Sequence, residues 1–302
     1  MPELPEVETI ARGVNERLHG DRIVEVWFGG HREPFKTPAA RQAKGLEGRS
    51  ILAVHRTGKH IVCELGTADG VVLPHPSRKI KDAARMGHPG AGLAELESKA
   101  AAQWIVHLGM TGRLLVTTPE APVAIHTHAR LSLASGRELR FVDPRRFGRL
   151  EFRDLSRSSG FSAPGVDPLE VTAESFVEIF HSRRLAIKAA LLNQTLLSGV
   201  GNIYADESLF RAGIRPRRLC GRLSGAELER LRQALHDVLL DAIRLGGSSV
   251  SDYVDADGVR GFFQLEHCVY LRTGLACLRC QTLIRRIVLA GRGTHFCPKC
   301  QV

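Results

Sequence analysis

The sequence predicts an α+β protein in which an N-terminal β-sandwich domain, opened by a helix, precedes a helical domain and a small cysteine-bearing segment. Many short strand-like stretches with glycine-containing turns fill the first half of the chain. Helical periodicity replaces them after a Ser-, Gly- and Pro-rich stretch at 153–168. Four cysteines then lie in two pairs near the C-terminus, and the 302 residues suffice for about two domains.

The N-terminal half begins with MPELPEVET, a proline-spaced acidic segment that opens a helical pattern. Apolar residues at helical spacing continue to Leu18, and Gly20 stands where a helix would end. Strand-like stretches follow at 22–28, 50–56, 60–65, 104–108, 113–117, 129–135, 138–142 and 149–154. We therefore expect a β-sandwich domain over 1–153, interrupted by a polar, Gly- and Ala-rich surface insertion at 74–103.

The C-terminal half has a helical pattern. We expect a linker at 154–170 and then a helical domain at 171–264. Its helical segments are predicted at 172–182, 186–195, 202–214 and 224–247. The last of these has the clearest signals, because Ser224 and Glu227 form a capping box and Gly246 follows an apolar stripe.

The charge balance favours a polyanionic partner. The formal net charge is +10, which indicates nucleic acid first and an acidic membrane surface second. No apolar run approaches the roughly 18 residues that a membrane span needs, and the acidic N-terminus lacks the cationic region of a secretory signal. We therefore expect a cytoplasmic protein. In that compartment the seven cysteines indicate a metal site or buried thiols rather than disulfides.

The C-terminal cysteines form the pairs CLRC at 277–280 and CPKC at 297–300. This spacing predicts one structural Zn²⁺ on a β-hairpin within 265–302. The expected ligands are Cys277, Cys280, Cys297 and Cys300. Because thiolates fill all four positions, the metal has no open site for catalysis. Six Lys or Arg residues against one acid in this segment favour contact with phosphates.

Three further segments carry a family resemblance: HLGMTGRL at 107–114, DPRRFG at 143–148 and LLSGVGNIYADESLFRAGIRP at 196–216. With the opening MPELPEVE and the closing cysteine pairs, they resemble the bacterial formamidopyrimidine-DNA glycosylases of the formamidopyrimidine/endonuclease VIII family. These repair enzymes remove oxidised purines such as 8-oxoguanine from duplex DNA and cut the strand by β,δ-elimination as AP lyases. The resemblance covers nearly the whole chain except 74–103.

The resemblance also implies architecture and partners. The helices would form a helix-two-turn-helix domain, and the Gly- and Ser-rich stretch 246–264 would be a mobile loop that closes over the flipped base. The expected partner is double-stranded DNA containing an oxidised base. The family further implies a monomer that works on the nucleoid in the cytoplasm.

The resemblance implies catalysis at the N-terminus. After removal of Met1, Pro2 would carry a free secondary amine, and an α-amino group titrates near ~8. That amine would attack C1′ of the damaged nucleotide and form a Schiff base. Glu3 would donate and accept protons beside it. Lys59 matches the family lysine near the scissile phosphate, and the acids Glu6 and Glu207 would help to hold the amine.

The resemblance also implies residues for DNA binding. A base inside a duplex must be flipped out before it can react, and Met110, Arg145 and Phe147 match the trio that fills the resulting gap. Arg145 would also read the cytosine opposite the lesion. The other DNA-binding residues would be His107, His126, Arg146, Asn202 and Arg292.

Two alternatives remain open at this point. One is an endonuclease VIII-like glycosylase that prefers oxidised pyrimidines, although ELPEV, VGNIYADE and the loop at 246–264 favour the purine branch. The other is a catalytically silent, zinc-dependent protein that binds damaged DNA, which would require the reactive residues to be missing. The insertion at 74–103 could extend the DNA footprint through Arg78, Lys79, Lys81 and Arg85, or it could be a solvated excursion.

Overall fold

The computed structural model describes residues 1–30, 34–68, 100–250 and 253–302. Most of the insertion predicted at 74–103, including its four basic residues, lies outside these ranges. The boundary at its C-terminal end was wrong, because Ala102 and Gln103 already belong to a strand. Both are buried and pair with strands on either side, so they are part of the sandwich.

The N-terminal half contains the predicted helix and strands in the predicted order, with one additional helix, α2. These are α1 (Leu4–Leu18), β1 (Ile23–Phe28), α2 (Ala39–Leu46), β2 (Ile51–Thr57), β3 (His60–Leu65), β4 (Ala102–His107), β5 (Arg113–Thr117), β6 (Thr127–Leu133), β7 (Glu138–Val142) and β8 (Arg149–Asp154). The strands form two antiparallel four-stranded sheets, with the orders β1-β6-β7-β5 and β2-β3-β4-β8. The predicted β-sandwich and its strands are therefore confirmed.

Helix α2 was missed by the sequence analysis. It is short, contains Gly45 and buries only Gln42 and Leu46, so it lacks the apolar stripe that signals a helix. Gly45 lets α2 approach β8 closely, because a Cβ there would lie 2.5 Å from the ring of Phe152. Gln42 fixes this contact by donating hydrogen bonds to the carbonyl oxygens of Thr37 and Leu150.

The C-terminal half contains α3 (Ala173–His181), α4 (Ile187–Leu191), α5 (Asn202–Ala212), α6 (Gly225–Arg244), and the strands β9 (Arg285–Leu289) and β10 (Arg292–Phe296). The capping box is confirmed: Ser224 Oγ accepts from Glu227 N, and the Glu227 carboxylate accepts from Ser224 N. Helix α4 is shorter than the predicted 186–195. Beyond Leu191 the side chain of Asn193 accepts from Thr195 N and Oγ1 and forms a turn instead.

Helix α1 contributes to two hydrophobic cores. Val7, Ile10 and Val14 pack between the sheets of the sandwich, whereas Leu4 packs with the apolar residues of α3 to α6. The backbone N–H of Leu4 also donates to Gly199 O at 3.0 Å. The N-terminus is thus fixed where the two halves of the protein meet. None of the described helices is long and apolar enough to cross a membrane.

Candidate active site and nucleic-acid interface

The carboxylate of Glu3 lies at the N-terminus of α5. Only 5% of Glu3 is exposed, and its Oε1 accepts a hydrogen bond from Ile203 N at 3.2 Å. Gly201, which precedes α5, makes this approach possible, because a Cβ there would lie 2.1 Å from Glu3 Cδ. The free N–H groups of a helix start favour negative charge nearby. The side chain of Glu3 is therefore bound to the backbone of Ile203.

Burial sets the protonation of Glu3. Removal from water raises the pKa of this carboxyl group to about 7, and the neighbouring Glu6 adds to the increase. The ammonium group of Lys59 and the N–H groups of α5 partly oppose it. A carboxyl group with a pKa near neutrality can both donate and accept a proton under ordinary conditions.

Glu6 joins three parts of the chain. One of its carboxylate oxygens accepts from Glu3 N at 2.8 Å, and the other accepts from Ser248 N at 2.8 Å and from the hydroxyl of Tyr204. Burial raises the pKa of Glu6, and these hydrogen bonds counteract the increase. Glu6 therefore connects the N-terminal segment to α5 and to the chain that follows α6.

Lys59 lies in the turn between β2 and β3, where Gly58 adopts a positive φ of 60°. Its Nζ donates to Val200 O at 3.1 Å. Burial lowers the pKa of Lys59, the charge of Glu3 opposes this, and the nearby Arg292 lowers it further. Lys59, Glu3 and Arg292 therefore share one electrostatic environment although the sequence separates them widely.

Pro2 is buried beside Glu3, whereas Met1 is 50% exposed. Pro2 directly precedes Glu3 in the chain. The sequence-predicted residues Pro2, Glu3, Glu6 and Lys59 are thus brought together by the start of α1, the β2–β3 turn and the start of α5.

Glu207 makes its contacts elsewhere. Its carboxylate accepts three backbone hydrogen bonds, from Cys268 N at 2.9 Å, Val269 N at 3.0 Å and Tyr270 N at 2.8 Å. These bonds attach α5 to the segment that leads into the cysteine-bearing hairpin. The described contacts of Glu207 therefore support that segment rather than the N-terminal amine.

A buried charged network lies behind the site and was missed by the sequence analysis. Lys188 Nζ and Asp206 Oδ1 are 2.7 Å apart, and neither side chain is exposed. Asp206 Oδ2 also accepts from His295 N at 2.9 Å, while Lys188 donates to Gly293 O and Thr294 Oγ1, both at 2.9 Å. The network holds β10 against α4 and α5. A single lysine within the apolar run AIKAALL was the available signal.

The residues expected to read DNA lie near the tip of β10 and at one end of the sandwich. Asn202, the first residue of α5, donates through Nδ2 to Gly293 O at 3.0 Å, which places it beside the exposed Arg292. Met110 and Phe147 are exposed by 42% and 49%. The guanidinium of Arg145 lies over the Phe147 ring at 4.8 Å, and the adjacent Arg146 has a φ of 56°.

The two expected histidines differ in environment. His126 is exposed, whereas His107 is half-buried and lies 4.8 Å from the ring of His60. Burial lowers the pKa of His107 to about 4, and Lys59 contributes to the decrease. His107 is therefore neutral near pH 7. Because its Nδ1 accepts from Gly109 N at 3.2 Å, its proton is assigned to Nε2.

The four C-terminal cysteines fit a zinc ion. Their Sγ atoms all lie within 4.8 Å of one another, with Cys277–Cys300 at 3.9 Å and Cys280–Cys297 at 3.4 Å. Tetrahedral coordination with Zn–S bonds of about 2.3 Å requires sulfur separations of ~3.8 Å. The donor set is therefore that of one closed, structural zinc site, as the sequence predicted.

The other three cysteines do not join this cluster. Cys63 and Cys220 are buried, and burial raises the pKa values of their thiols to about 12 and about 11. Both are thus kept as neutral thiols in the interior. Cys268 is half-buried, and its thiol lies next to Glu266 O at 3.6 Å.

Three family models match the chain in order. Residues 1–150 match the formamidopyrimidine-DNA glycosylase N-terminal domain, 164–254 the formamidopyrimidine-DNA glycosylase H2TH domain, and 274–302 the zinc finger found in FPG and IleRS. A formamidopyrimidine-DNA glycosylase from Solibacter usitatus is 40% identical over 100% of this chain and 99% of its own length. The chain belongs to the formamidopyrimidine-DNA glycosylase family.

Other members of the family support this assignment. A curated formamidopyrimidine-DNA glycosylase from Thioalkalivibrio sulfidiphilus is 38% identical, with 100% of both chains covered. The Lactococcus lactis FPG in complex with abasic site-containing DNA superimposes with a TM-score of 0.80 at 32% identity, covering 99% of each chain. Another complex of the same enzyme contains an oxidized pyrimidine and gives a TM-score of 0.79.

In this member of the formamidopyrimidine-DNA glycosylase family, the described part of the stretch 246–264 packs against the N-terminal domain. Tyr253 and Ala256 enter the sandwich core, and Ala256 O accepts from Val116 N at 2.9 Å. Asp257 forms an ion pair with Arg17 of α1. These contacts attach the stretch to the helix that carries the N-terminal site.

Proposed function

We propose that this protein is a base-excision-repair DNA glycosylase with AP lyase activity, which removes oxidised purines such as 8-oxoguanine and formamidopyrimidines from duplex DNA. Its family membership makes it a DNA glycosylase of base-excision repair. The observation that carries the mechanism is the position of Glu3, whose carboxyl group has a pKa of about 7 and lies beside Pro2 and Lys59.

The reaction begins at the nitrogen of Pro2 once Met1 has been removed. The amine attacks C1′ of the flipped nucleotide, the C1′–N bond to the base breaks, and its electron pair leaves with the base. Glu3 supplies the proton that this leaving group or the opening sugar oxygen requires. The nitrogen of Pro2 then loses its proton, and the C1′–O4′ bond breaks with its electron pair going to the sugar oxygen, which takes up a proton. The product is an iminium between Pro2 and C1′ of the opened sugar.

The iminium makes strand cleavage possible without water or metal. It acidifies the C2′ proton, and loss of that proton expels the 3′ phosphate in β-elimination. A second elimination expels the 5′ phosphate. Glu3, now deprotonated, is proposed to accept a proton, and Lys59 to act beside the scissile phosphate. The zinc ion supplies no step, because four thiolates occupy its coordination positions and it acts by folding the hairpin.

Three groups are proposed to hold the DNA backbone around the lesion. Arg292 at the tip of β10 and Lys59 supply positive charge, and Asn202 lies beside Arg292 at the start of α5. A buried oxygen, Asn202 Oδ1, has no hydrogen-bond partner among the described residues. His107 and His126 are proposed to contact the DNA as well, and neutral His107 can donate through Nε2 without adding charge.

Met110, Arg145 and Phe147 are proposed to fill the gap that the flipped nucleotide leaves. Exposed apolar side chains of this size suit insertion between base steps. The planar guanidinium of Arg145 can form a forked hydrogen bond to the unpaired cytosine. Arg146 is proposed to contact the backbone beside it. Glu6 is proposed to support the N-terminal segment, and Glu207 to support the segment that leads into the cysteine-bearing hairpin.

An endonuclease VIII-like preference is the second candidate substrate range. The observation that favours it is the similarity to the Lactococcus lactis FPG complex with an oxidized pyrimidine. The silent DNA-binding alternative is disfavoured because Pro2, Glu3 and Lys59 are all present and lie together. We further propose that the protein acts as a monomer on the nucleoid in the cytoplasm.

Borohydride trapping tests the proposed function. The protein, with loss of Met1 verified by mass spectrometry, is incubated with an 8-oxoguanine·cytosine duplex and borohydride. We expect a covalent protein–DNA complex, which the same protein with one extra residue before Pro2 does not form. Absence of trapping by the processed protein would sink the catalytic proposal. Stronger trapping on 5-hydroxycytosine or thymine glycol would establish the second substrate range instead.

A further inference from the structure

The two loops that carry the proposed gap-filling residues touch at their bases. The first follows β4 and exposes Met110, and the second joins β7 to β8 and exposes Phe147. A Cβ on Gly109 would lie 2.4 Å from Phe147 C and 2.5 Å from Gly148 N. The backbones of the loops are therefore in direct contact, and what fixes them to each other also fixes the spacing of the exposed side chains.

A single buried carboxylate binds both loops. Asp143 is 0% exposed, and its Oδ1 accepts from the hydroxyl of Thr111 in the first loop at 2.6 Å. Its Oδ2 accepts from Gly148 N at 2.8 Å, and its Oδ1 also accepts from Arg145 N at 3.3 Å, both in the second loop. Thr111 directly follows Met110, so the bond is one residue from the exposed tip.

The backbone of Asp143 is itself anchored to β6 and the residue before it. Its carbonyl accepts from His128 Nε2 at 2.9 Å, and its N–H donates to His126 O at 3.0 Å. The carboxylate is thus held by the sheet while it holds the loops. An ordinary turn-forming aspartate would account for the local bonds to Arg145 and Gly148. It would not account for the bond to Thr111, which comes from 32 residues away.

We propose that Asp143 is a positioning residue that keeps Met110 and the pair Arg145–Phe147 at the spacing needed to enter one gap in the duplex. This rests on the proposed function. Side chains that must enter the same base step gain from being fixed in advance, because their ordering is then not required at the moment of binding. Displacement of about 1 Å can reduce the rate of an enzyme about 100-fold.

Two variants and two matched controls test the inference. Thr111→Val removes one hydrogen bond to Asp143 while keeping the side-chain shape, and Asp143→Ala removes all of them. Thr111→Ser keeps the hydroxyl. Asp21→Ala removes a comparable buried aspartate, which accepts from Ser135 N at 3.2 Å in the turn between β6 and β7, at the opposite end of β7 from Asp143.

Each protein is measured in three assays. The first is kcat/KM for release of 8-oxoguanine opposite cytosine and opposite adenine. The second is nicking of a preformed abasic site in single-stranded DNA, which needs the amine but no gap filling. The third is the fluorescence of 2-aminopurine next to the lesion in a duplex, which reports insertion without any chemistry.

We expect Thr111→Val and Asp143→Ala to lower duplex excision about 10- to 100-fold, to reduce the preference for cytosine and to weaken the fluorescence change. Nicking of single-stranded DNA should stay at the wild-type rate, and both controls should match wild type throughout. Unchanged duplex excision in Thr111→Val would overturn the inference. Equal losses in duplex excision and in nicking of single-stranded DNA would also overturn it. Failure of wild-type protein to nick the abasic site would instead refute the proposed function.

Discussion

Glu3 Oε1 accepts a hydrogen bond from Ile203 N at 3.2 Å, although the two residues are 200 positions apart in the chain. This bond places the proposed proton donor at the start of α5, where Asn202 and the β10 hairpin also lie. The acid, the N-terminal segment and the proposed phosphate contacts are therefore built around one helix terminus. Changes to Glu3, or to Gly201 beside it, give the most direct tests of this arrangement.

Replacing Glu3 by Gln should separate the two chemical steps. Gln keeps the shape and an acceptor oxygen for Ile203 N–H but cannot release a proton. We expect base removal to fall about 10²- to 10⁴-fold, the range of general acid–base catalysis. Nicking of a preformed abasic site should fall less, since no base has to leave. Single-turnover assays on the two substrates measure this, and equal losses would contradict the assignment.

The pKa of Glu3 predicts how activity depends on pH. If protonated Glu3 delivers a proton to the leaving base while the unprotonated Pro2 amine, which titrates near ~8, attacks the sugar, base release should follow a bell-shaped pH profile with its maximum between about 7 and ~8. The expected profile is measured under single-turnover conditions so that product release does not mask it. A rate that keeps rising above pH ~8, where the amine is already largely unprotonated, would show that Glu3 does not act as the acid in this step.

The same shift predicts a change in stability. The folded pKa of about 7 lies above the ordinary glutamate pKa of 4.5, so the folded state binds the proton more tightly. The free energy of unfolding therefore falls as pH rises from about 4.5 to about 7. Glu3→Gln should lose this component, so its stability relative to wild type should improve with pH across that window. Urea denaturation at several pH values measures the difference.

Gly201→Ala should displace Glu3. The added Cβ would lie 2.1 Å from Glu3 Cδ, closer than any real contact, so the carboxylate must leave the start of α5. We expect base removal to fall about 100-fold. Gly225→Ala is the matched control, because Gly225 also begins a helix and has open space around its Cβ position. Similar activity of the two variants would show that the Gly201 contact is unimportant.

The buried pair Lys188–Asp206 should matter more for stability than an exposed pair. Lys188→Met leaves the Asp206 carboxylate in the interior with His295 as its remaining partner, and such losses cost about 3–5 kcal/mol. Arg211→Met breaks the pair with Asp241, whose side chains are 38% and 31% exposed, and should cost about 0–1 kcal/mol. Chemical denaturation compares them. Equal effects would mean that the network does not hold β10.

Loss of zinc should remove DNA binding selectively. Cys280→Ser should release the metal and unfold the hairpin that presents Arg292, so affinity for duplex DNA should fall at least about tenfold. Cys268→Ser is the control, since Cys268 lies outside the metal cluster. Metal analysis measures the release of zinc, circular dichroism measures the unfolding of the hairpin, and fluorescence anisotropy measures the affinity for DNA. Retained affinity in protein without zinc would contradict the role of the hairpin.

Local signals in the sequence predicted most of the fold. Alternation and turn residues located the strands of the sandwich, and the Ser224–Glu227 capping box located the start of α6. The spacing of the cysteine pairs located the zinc site. Each of these features depends on residues close together in the chain. Helix α2 was not predicted, because its few buried positions, Gln42 and Leu46, form no apolar stripe.

Long-range partners were harder to predict. Tyr204 donates to Glu6 from 198 residues away, and Asp206 reaches Lys188 and His295 on other elements. Nothing in the local pattern of these residues specifies such contacts. Asp143 belongs to the segment DPRRFG, but the sequence indicates no role for it. Its bond to Thr111 forms only when the two loops meet in the fold. Glu207 was expected near the amine and instead holds 268–270.

The division of α1 between two cores has a consequence for biosynthesis. Leu4 belongs to the core of the C-terminal half, whereas Val7 and Ile10 belong to the sandwich. Because domains fold from the N-terminus during synthesis, the sandwich can form before the helices that cover Leu4 have been made. The first residues translated are thus among the last to reach their final positions, and the proposed active site at the N-terminus is completed only when the ribosome has passed residue 203.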